Sequence, residues 1–452
     1  MSQLLVRGGD VITMNAARDI LSDTAVLVRD GVIAEIGPAA DLTQRHPMVE
    51  TIGGPDDIVT PGYVNAHQHL TGDRLVRSAI PDDIDSQEAI FGWAVPIHGA
   101  HTGDDDELSA TLSLVEAVTN GITTTVEAGT VAHPDRVVAA MHAVGIRGTI
   151  GRWGWDVDDA PWAAPADEVL DAAADLVARY PTAANGGGLV EAWITLVGHD
   201  LMSDELVAGA SDLARSLHTN LTFHLSPHGG DAVSYVARTG LRPALHLDRL
   251  GVLGRHVLLA HAVHLDDDEV EVVVERGTAV AACPWAYLRL AQGLVGAGRH
   301  LDLLRRGGRV ALGCDAENAG DAIDVLRAAT LFVGIERDRA MDPTALTALD
   351  GLALATTSGA AAIGMGDRVG SIEIGKQADL VVHDTSGPQW LPRSPDPVLQ
   401  LIWASDGRSV RDVVIAGRPV VRDGRCVTVD IDALRDEAAQ RSRRLLEGRI
   451  RG

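Results

Sequence analysis

The chain has 452 residues, of which 46% are hydrophobic and 22% are charged, and its formal net charge is −25. This length suits a large barrel with a smaller companion domain, and the composition excludes a globally disordered chain. The negative charge argues against nucleic-acid and anionic-membrane partners, because both require a basic surface.

Cysteine usage and hydropathy indicate the cellular compartment. The three cysteines, Cys283, Cys314 and Cys426, are not paired at disulfide or metal-ligand spacing, which predicts a reducing compartment. The first residues lack the apolar core of a signal peptide, and no run of about 18 apolar residues is present. We therefore expect a cytoplasmic protein with no membrane partner.

The first and last parts of the chain have the pattern of short strands. Residues 1–58 contain apolar runs separated by turn signals at Gly8-Gly9-Asp10 and Asp30-Gly31. Residues 366–425 return to this pattern, starting with a predicted strand over 370–375. We expect both ends to form one small β-sandwich domain.

Between these ends, residues 59–365 alternate short apolar runs with stretches of helical periodicity. Eight strand–helix units in sequence predict an α/β fold, a (β/α)8 TIM barrel. A charged helical tail is expected over 426–452. The eight apolar runs are Tyr63–Ala66, Ile122–Val126, Ile146–Ile150, Trp193–Val197, Leu221–Leu225, Val257–Ala260, Thr278–Ala282 and Val310–Gly313.

The first predicted barrel strand ends in His67-Gln68-His69. Side chains two apart on a strand point to the same face, so both imidazoles can face one point at the mouth of the barrel. Two such imidazoles suit zinc or iron. By spacing alone, two unrelated surface histidines explain the pattern equally well.

Three further residues strengthen the metal interpretation. His224, His261 and Asp315 each end a predicted strand. Each can bind a metal or handle a proton, and barrel enzymes place their chemistry at the carboxyl ends of strands. A single histidine at such a position is more often structural, but agreement among several strand ends favours a site.

Taken with their order along the chain, these motifs resemble the amidohydrolase superfamily, in its chlorohydrolase, cytosine-deaminase-like and guanine-deaminase-like branch. The resemblance runs from residue 4 to about 425 and does not specify a substrate. The motifs that carry it are Pro61–Leu70, Asn120–Thr124, Leu259–Leu265, Ala311–Asp315 and Gly370–Leu380.

The resemblance implies roles for individual residues. His67, His69, His224 and Asp315 match the metal ligands of the mononuclear members, and His261 matches the histidine that contacts the metal-bound water or the departing group. It also implies one divalent metal ion, zinc with iron or manganese as alternatives, and a homo-oligomer, either a dimer or a tetramer. A metal lowers the pKa of bound water, and Asp315 and His261 can then move its proton.

The single lysine of the chain bears on the number of metal ions. Binuclear members of the family often bridge two metals with a carboxylated lysine on a barrel strand, but Lys376 falls in the predicted β-domain. One ion is therefore expected. The alternative is a carboxylate bridge, for which Glu127 and Glu191 are the nearest acids in sequence.

One position departs from the family pattern. Deaminases of this branch carry His-x-x-Glu at the fifth strand, whereas this chain has Pro227 in the glutamate position. Proline can donate no proton. His228 and His264 are candidates to replace the acid–base function, although His228 can equally be an ordinary residue of a glycine-rich turn.

Candidate substrate-binding residues follow two strands. Arg152, Trp153 and Trp155 follow the third strand, and Trp285 and Tyr287 follow the seventh. We take Arg152, Trp155, Trp285 and Tyr287 as substrate-binding candidates, since aromatic rings can stack on a flat ring and arginine can hold a carboxylate. Packing beneath loops explains each of them individually. The long first loop, with Trp93, His98 and His101, is expected to cover the site.

The sequence thus predicts a metal-dependent hydrolase that acts on a small cyclic or C–N-containing molecule, such as a deaminase, an amine- or halide-displacing enzyme or an amide-opening enzyme. The loss of the glutamate keeps a lyase, cyclase or isomerase open as an alternative. A catalytically silent binding protein is a third alternative, against which the complete set of metal ligands argues.

Overall fold

The computed structural model describes residues 3–157 and 160–450. Residues 1, 2, 451 and 452, which belong to the predicted β-domain and tail, lie outside the described residues. The chain begins with a short helix and five strands: β1 (Gln3–Ile12), β2 (Ile20–Arg29), β3 (Val32–Pro38), α1 (Ala39–Arg45), β4 (Thr51–Gly53) and β5 (Ile58–Pro61).

One predicted turn in this region is wrong. Gly8-Gly9-Asp10 lies inside strand β1, because the segment around Pro55 packs against that strand at very close range. A β-carbon on Gly9 would lie 2.1 Å from the carbonyl oxygen of Pro55. The glycine therefore permits a close approach of two backbones. The second predicted turn is correct, since Asp30 and Gly31 both have positive φ at the tip of the β2–β3 hairpin.

The barrel follows directly from β5. Its strands pair in parallel and in the order of the chain. The fourth barrel strand is interrupted at Trp193 and carries two labels below, β9 and β10, so the barrel has the eight strands predicted. The amides of Cys314 and Asp315 donate to the carbonyl of His67 and close the ring. The strands are β6 (Tyr63–Gln68), β7 (Ile122–Glu127), β8 (Arg147–Ile150), β9 (Val190–Ala192), β10 (Ile194–Gly198), β11 (Leu221–Leu225), β12 (Val257–His261), β13 (Ala279–Ala282) and β14 (Arg309–Leu312).

Strands from the end of the chain complete the first sheet, which has nine strands among the described residues, in the order β18-β17-β16-β15-β5-β1-β2-β3 with β4 beside β1. The α/β barrel with a separate sheet from both chain ends is therefore confirmed. The predicted strand over 370–375 is wrong: beyond it, Gln377 makes only an isolated bridge to Val32. The strands are β15 (Leu380–His383), β16 (Val410–Ile415), β17 (Arg418–Arg422) and β18 (Arg425–Cys426).

Helices surround the barrel, and most of the core lies between them and the strands. No helix among the described residues is both long and apolar enough to cross a membrane. The remaining helices are α2 (Val95–Gly99), α3 (Gly103–Thr119), α4 (Pro134–Val144), α5 (Ala166–Arg179), α6 (Asp204–Ser216), α7 (Gly230–Thr239), α8 (Pro243–Arg249), α9 (Asp267–Glu275), α10 (Pro284–Arg289), α11 (Leu294–Ala297), α12 (His300–Arg305), α13 (Val325–Ala340), α14 (Ala348–Ala355), α15 (Thr357–Ala362), α16 (Pro397–Ala404) and α17 (Arg435–Ile450).

Capping and charge fix several helix starts. At α3, Thr102 and Asp105 form a reciprocal capping box, and at α9 Asp266 and Glu269 do the same.

The barrel and the terminal sheet are joined by a buried ion pair, in which the Arg147 guanidinium lies 3.0 Å from the Asp379 carboxylate. These elements leave the carboxyl ends of the strands open on one side of the molecule.

Candidate metal centre and active-site cleft

Four side chains converge at the carboxyl ends of β6, β11 and β14. The Nε2 atom of His69 lies 3.2 Å from Nε2 of His224 and 3.3 Å from Oδ1 of Asp315. Nε2 of His67 lies 3.6 Å from the same carboxylate oxygen. Ligand atoms placed about 2.0–2.1 Å from a tetrahedral zinc ion are roughly 3.3 Å apart. The donor atoms therefore have the spacing that a single small cation requires.

Unpartnered nitrogens at this point fit a cation as well. His67 is 1% exposed, and neither of its ring nitrogens has a hydrogen-bond partner within the described residues. Buried polar groups are normally paired, so an orphaned imidazole needs an explanation. One imidazole nitrogen from each of His67, His69 and His224, together with one carboxylate oxygen of Asp315, is a donor set that suits a divalent metal such as zinc.

Hydrogen bonds behind the rings orient the donor atoms. Nδ1 of His224 donates to the Val197 carbonyl at 2.6 Å, which leaves the Nε2 lone pair facing the centre. Nδ1 of His69 is 2.8 Å from Oγ1 of Thr130. Metal-binding histidines are generally held in this manner by a partner on the other ring nitrogen.

Glu127, at the end of β7, holds the turn that carries Thr130, the hydrogen-bond partner of His69. Its carboxylate accepts hydrogen bonds from the amides of Gly129, at 2.6 Å, and Thr130, at 3.4 Å. Burial raises the pKa of Glu127 to about 7, although these amides act in the opposite direction. Glu127 thus holds the turn that carries Thr130.

His261 stands opposite these ligands. Its Nδ1 lies 4.0 Å from Oδ2 of Asp315 and has no hydrogen-bond partner within the described residues. Burial lowers the pKa of His261 to about 3, against the attraction of Asp315. Burial alone would raise the pKa of Asp315, but its contacts with the His67 and His69 rings hold it well below the ordinary value.

The backbone at these strand ends is strained. His261 has φ +79° and Asp315 has φ +64°, a region that residues with side chains rarely adopt. His199, at the end of β10, has φ +55°. Backbone strain of this kind clusters at functional sites, where the surrounding fold enforces it.

A cysteine that the sequence left unassigned lies beside the centre. Sγ of Cys283, at the end of β13, is within 4.8 Å of donor atoms of His261 and Asp315. Burial raises the pKa of this thiol well above its ordinary value. Spacing along the chain could not reveal this proximity, because the three residues come from three different strands.

A cleft of about 810 Å³, its open mouth included, lies above these residues. His69, His224, His261 and Asp315 form part of its floor. Further lining residues come from the long loop after β6, which contains a π-helical stretch, from the end of β10 and from the segments after β8, β10, β11, β13 and β14: Ile80, Ile90, Phe91, Ala94, Val95, His98, Trp153, Val197, His199, Pro227, Leu290, Gln292 and Asn318. The predicted covering role of the first loop agrees with this placement.

The four substrate-binding candidates do not line this cleft among the described residues. Trp153 lines it instead, and Trp155 is buried behind Trp153 with ring centroids 5.0 Å apart. Nε1 of Trp155 donates to the carbonyl of Pro161. The backbone amide of Arg152 donates to Thr195. Residue order along a loop does not tell which of two neighbouring tryptophans faces the cleft.

The two candidates after β13 pack beneath the site. Tyr287 is 1% exposed, and its hydroxyl accepts a hydrogen bond from the amide of Cys283 at 2.8 Å. The guanidinium of Arg327 lies over the ring of Trp285, 4.9 Å from its centroid. Both aromatic residues therefore support the floor of the cleft from behind.

Pro227 lines the cleft, whereas the two histidines proposed to replace its function lie at the rim. Nε2 of His228 is 2.8 Å from the Gln87 side chain, and its Nδ1 accepts the amide of Gly230. Nε2 of His264 donates to the carbonyl of Gln292 at 2.7 Å. Neither His228 nor His264 lines the cleft in the described part of the chain.

Sequence reasoning missed a histidine–carboxylate pair that does line the cleft. Nδ1 of His199 is 3.0 Å from Oδ2 of Asp231, which also accepts the amide of Ser226. The ring of His199 stacks on that of His224, with centroids 5.5 Å apart. His199 directly follows the fourth barrel strand, and this position could have marked it as a candidate active-site residue.

Comparison with known proteins agrees with this geometry. Residues 58–420 match the family described as the amidohydrolase family, and residues 25–47 match an imidazolonepropionase-like composite domain of bacteria. A relative named 5-methylthioadenosine/S-adenosylhomocysteine deaminase, from Syntrophobacter fumaroxidans, is 29% identical over 431 residues, which are 95% of each chain.

Solved structures share the whole fold. An adenosine deaminase from Xanthomonas campestris with bound zinc is 30% identical with a TM-score of 0.92, and the match covers 99% of each chain. The atrazine chlorohydrolase from Arthrobacter aurescens TC1, complexed with zinc, has a TM-score of 0.88 at 24% identity, over 97% of this chain and 100% of that one. The second likeness concerns the fold alone.

Proposed function

The chain belongs to the amidohydrolase family and is an enzyme of that type, and we propose that it is a mononuclear metal-dependent hydrolase acting on a small cyclic or C–N-containing molecule. The observation that carries this proposal is the convergence of three imidazoles and one carboxylate with donor atoms 3.2–3.6 Å apart. A set of this kind, at the floor of a cleft at the carboxyl ends of barrel strands, is where barrel enzymes perform catalysis.

We propose His67, His69, His224 and Asp315 as the ligands of one divalent ion. Zinc fits the donor set, with iron or manganese as alternatives, and zinc is bound in the Xanthomonas campestris relative. When bound, the ion supplies a Lewis acid that polarises the substrate and acidifies water.

Contacts of the candidate bridging groups support a single ion. Nζ of Lys376 donates to Ser371 and to the carbonyl of Gly366, away from the barrel mouth. The Glu127 carboxylate is occupied by backbone amides, and Glu191 accepts the amide of Ala183 and pairs with Arg368. Each of these groups therefore already has partners of its own.

Two residues are placed to move the proton of the attacking water. The Asp315 carboxylate can accept a proton, and His261 lies 4.0 Å from it on the far side of the centre. His261 also faces the region that a departing group would occupy, because it lines the cleft.

We propose that His199, held by Asp231, delivers the proton that the strand-five glutamate delivers in family members. Pro227 occupies that position here, and His199 lines the cleft with a carboxylate behind it and its ring stacked on that of His224. A carboxylate on Nδ1 fixes the ring tautomer and leaves Nε2 for the substrate. His228 and His264 are rim residues whose ring nitrogens contact other groups.

The reaction class follows from this set. Displacement of an amine or a halide from a ring, and opening of an amide-like bond, both need an activated water and a proton donor, which the cleft supplies. The curated relative is named a deaminase, which favours C–N bonds. Because Pro227 replaces the glutamate, a lyase, cyclase or isomerase is a second candidate. The mass of the products distinguishes it from a hydrolase, because hydrolysis adds the elements of water.

Metal content per chain, measured by elemental mass spectrometry before and after reconstitution with zinc, iron and manganese, is the first test. About one ion per chain is expected. The variant Asp315→Asn should keep the fold, by circular dichroism, and lose turnover. About two ions per chain would contradict a mononuclear site, and no bound metal under any condition would contradict the hydrolase.

We also propose a homo-oligomer, either a dimer or a tetramer. Large apolar side chains are exposed on the surface, among them Val233 on α7, 72% exposed, and Val295 on α11, 52% exposed. Exposed apolar surface is a feature of subunit interfaces. Sedimentation equilibrium would show a mass above that of one 47.5 kDa chain.

A further inference from the structure

The wall of the cleft above the candidate metal centre is largely hydrocarbon. Ile80, Ile90, Phe91 and Val95 line it from the long loop after β6, Val197 lines it from the end of β10, and Leu290 lines it from the segment after β13. Phe91 is 38% exposed, so part of this wall is open to solvent. Apolar surface of this kind, concentrated at a site, gains free energy when a ligand covers it.

The charges at the cleft are of one sign. Asp73 and Asp315 line it, whereas no arginine or lysine does so among the residues that the structure describes. The Asp73 carboxylate accepts a hydrogen bond from the Asn318 amide at 2.9 Å and lies 3.4 Å from Nε2 of His98. Asp73 therefore already has partners within the protein. Gln292 and Asn318 add neutral amides to the lining.

The arginine beside the apolar wall is already engaged. Arg289, at the end of α10, donates to the carbonyl of Ile80 at 3.4 Å and pairs with Asp321 at 2.6 Å. Its guanidinium therefore stands behind the wall. A substrate carboxylate held against the apolar wall, away from the metal donors, would lose its water and gain no cationic side chain in return, which is strongly unfavourable.

We propose that the cleft selects uncharged ring molecules that carry an apolar substituent and excludes molecules with an anionic or zwitterionic tail. The apolar substituent lies against the Ile90 and Phe91 side chains, and the ring lies over the His and Asp donor group. This inference rests on the proposed function, because it assumes that the reacting part of the molecule is held at the metal centre.

Binding of three hydroxamates to the zinc-loaded full chain, measured by calorimetry, tests the proposal. Benzohydroxamic acid is the parent, since a hydroxamate chelates zinc, and its 4-tert-butyl and 4-carboxy derivatives carry an apolar or an anionic group. We expect the tert-butyl derivative to bind at least about tenfold more tightly than the parent and the carboxy derivative at least about tenfold more weakly. A carboxy derivative that binds as tightly as the parent would overturn the inference.

A charge introduced at the wall gives a second, independent readout. Phe91→Arg should tighten binding of the 4-carboxy derivative by about tenfold or more, whereas Met48→Arg, on exposed surface outside the cleft, should leave it unchanged. No gain with Phe91→Arg would also overturn the inference. Failure of the parent hydroxamate to bind zinc-loaded protein would instead contradict the metal centre, and both proposals would fall.

Discussion

The Nε2 atoms of His69 and His224 lie 3.2 Å apart, while the opposite nitrogen of each ring has a hydrogen-bond partner of its own. Two imidazole lone pairs at this distance repel one another unless a cation lies between them. The carbonyl of Val197 and the hydroxyl of Thr130 hold the rings in this arrangement. The proposed metal centre therefore depends on the residues behind the donor atoms as well as on the donor atoms themselves.

Thr130→Val should weaken zinc binding by about 10–100-fold, because it removes the hydroxyl that orients His69 while it keeps the shape of the side chain. Competition with a chromogenic chelator measures the affinity. Thr125→Val is the matched control, since Thr125 is buried on β7 and its hydroxyl has no partner within the described residues. Equal affinity of Thr130→Val and wild type would exclude this orienting role.

His199→Ala should lower kcat by about 10²–10⁴-fold, the range for loss of a general acid or base. Asp231→Asn should lower it less, because the ring remains and only its orientation and tautomer are disturbed. His228→Ala serves as the comparison, and we expect less than a tenfold effect, since His228 contacts Gln87 at the rim. Steady-state kinetics with a substrate that the wild-type enzyme converts measure these effects. A larger loss of kcat in His228→Ala than in His199→Ala would assign the role to His228.

The C-terminal helix α17 braces the loop that lines the cleft. Arg441 and Arg444 both pair with Asp105, whose side chain is 0% exposed, and Leu445 packs against the loop residues Leu75 and Ile97. Burial opposes ionisation of Asp105, but the two arginines and Thr102 hold its pKa well below the ordinary value.

The double variant Arg441→Ala/Arg444→Ala should lower the free energy of unfolding by about 3 kcal/mol, because it leaves a buried carboxylate without its cations. Limited proteolysis should also cleave residues 74–98 faster than in wild type. Arg443→Ala, on an exposed position of the same helix, is the control. Unchanged denaturation and cleavage would show that α17 does not support the loop.

His383 should make stability fall in acid. It is buried between Tyr63 and Ser409, and burial lowers its pKa from 6.5 to about 3. Between these values the unfolded chain binds the proton and the folded chain does not, so stability decreases as the pH falls below about 6.5. From pH 7 to 4.5 the expected loss is about 2.5 kcal/mol.

Urea unfolding of wild type and His383→Gln at both pH values isolates this contribution, because loss of metal ligation in acid affects both proteins equally. The variant should show the smaller decrease between pH 7 and 4.5. Identical pH dependence in the two proteins would mean that the pKa of His383 is the same in the folded and unfolded chains, and would contradict the prediction.

Much of the fold was predictable because its signals are local. The eight apolar runs between helical stretches gave the barrel strands, and the period of two along β6 placed His67 and His69 on one face. The turn at Gly8-Gly9 was mispredicted since glycine there serves a contact with Pro55, far away in sequence. Local propensity cannot distinguish a turn from a close approach of two backbones.

The barrel, the sheet from both chain ends and the strand-end residues proposed to bind a metal could be predicted from the sequence, because strand periodicity and strand ends depend on neighbours along the chain. Which side chains share the cleft depends instead on how separate strands and loops pack. Closure of the barrel brought His199 and Asp231 together and placed Cys283 beside Asp315. It also turned Trp153 rather than Trp155 toward the cleft. These relations join separate strands and loops, and the packing between them has no counterpart in the spacing of residues along the chain.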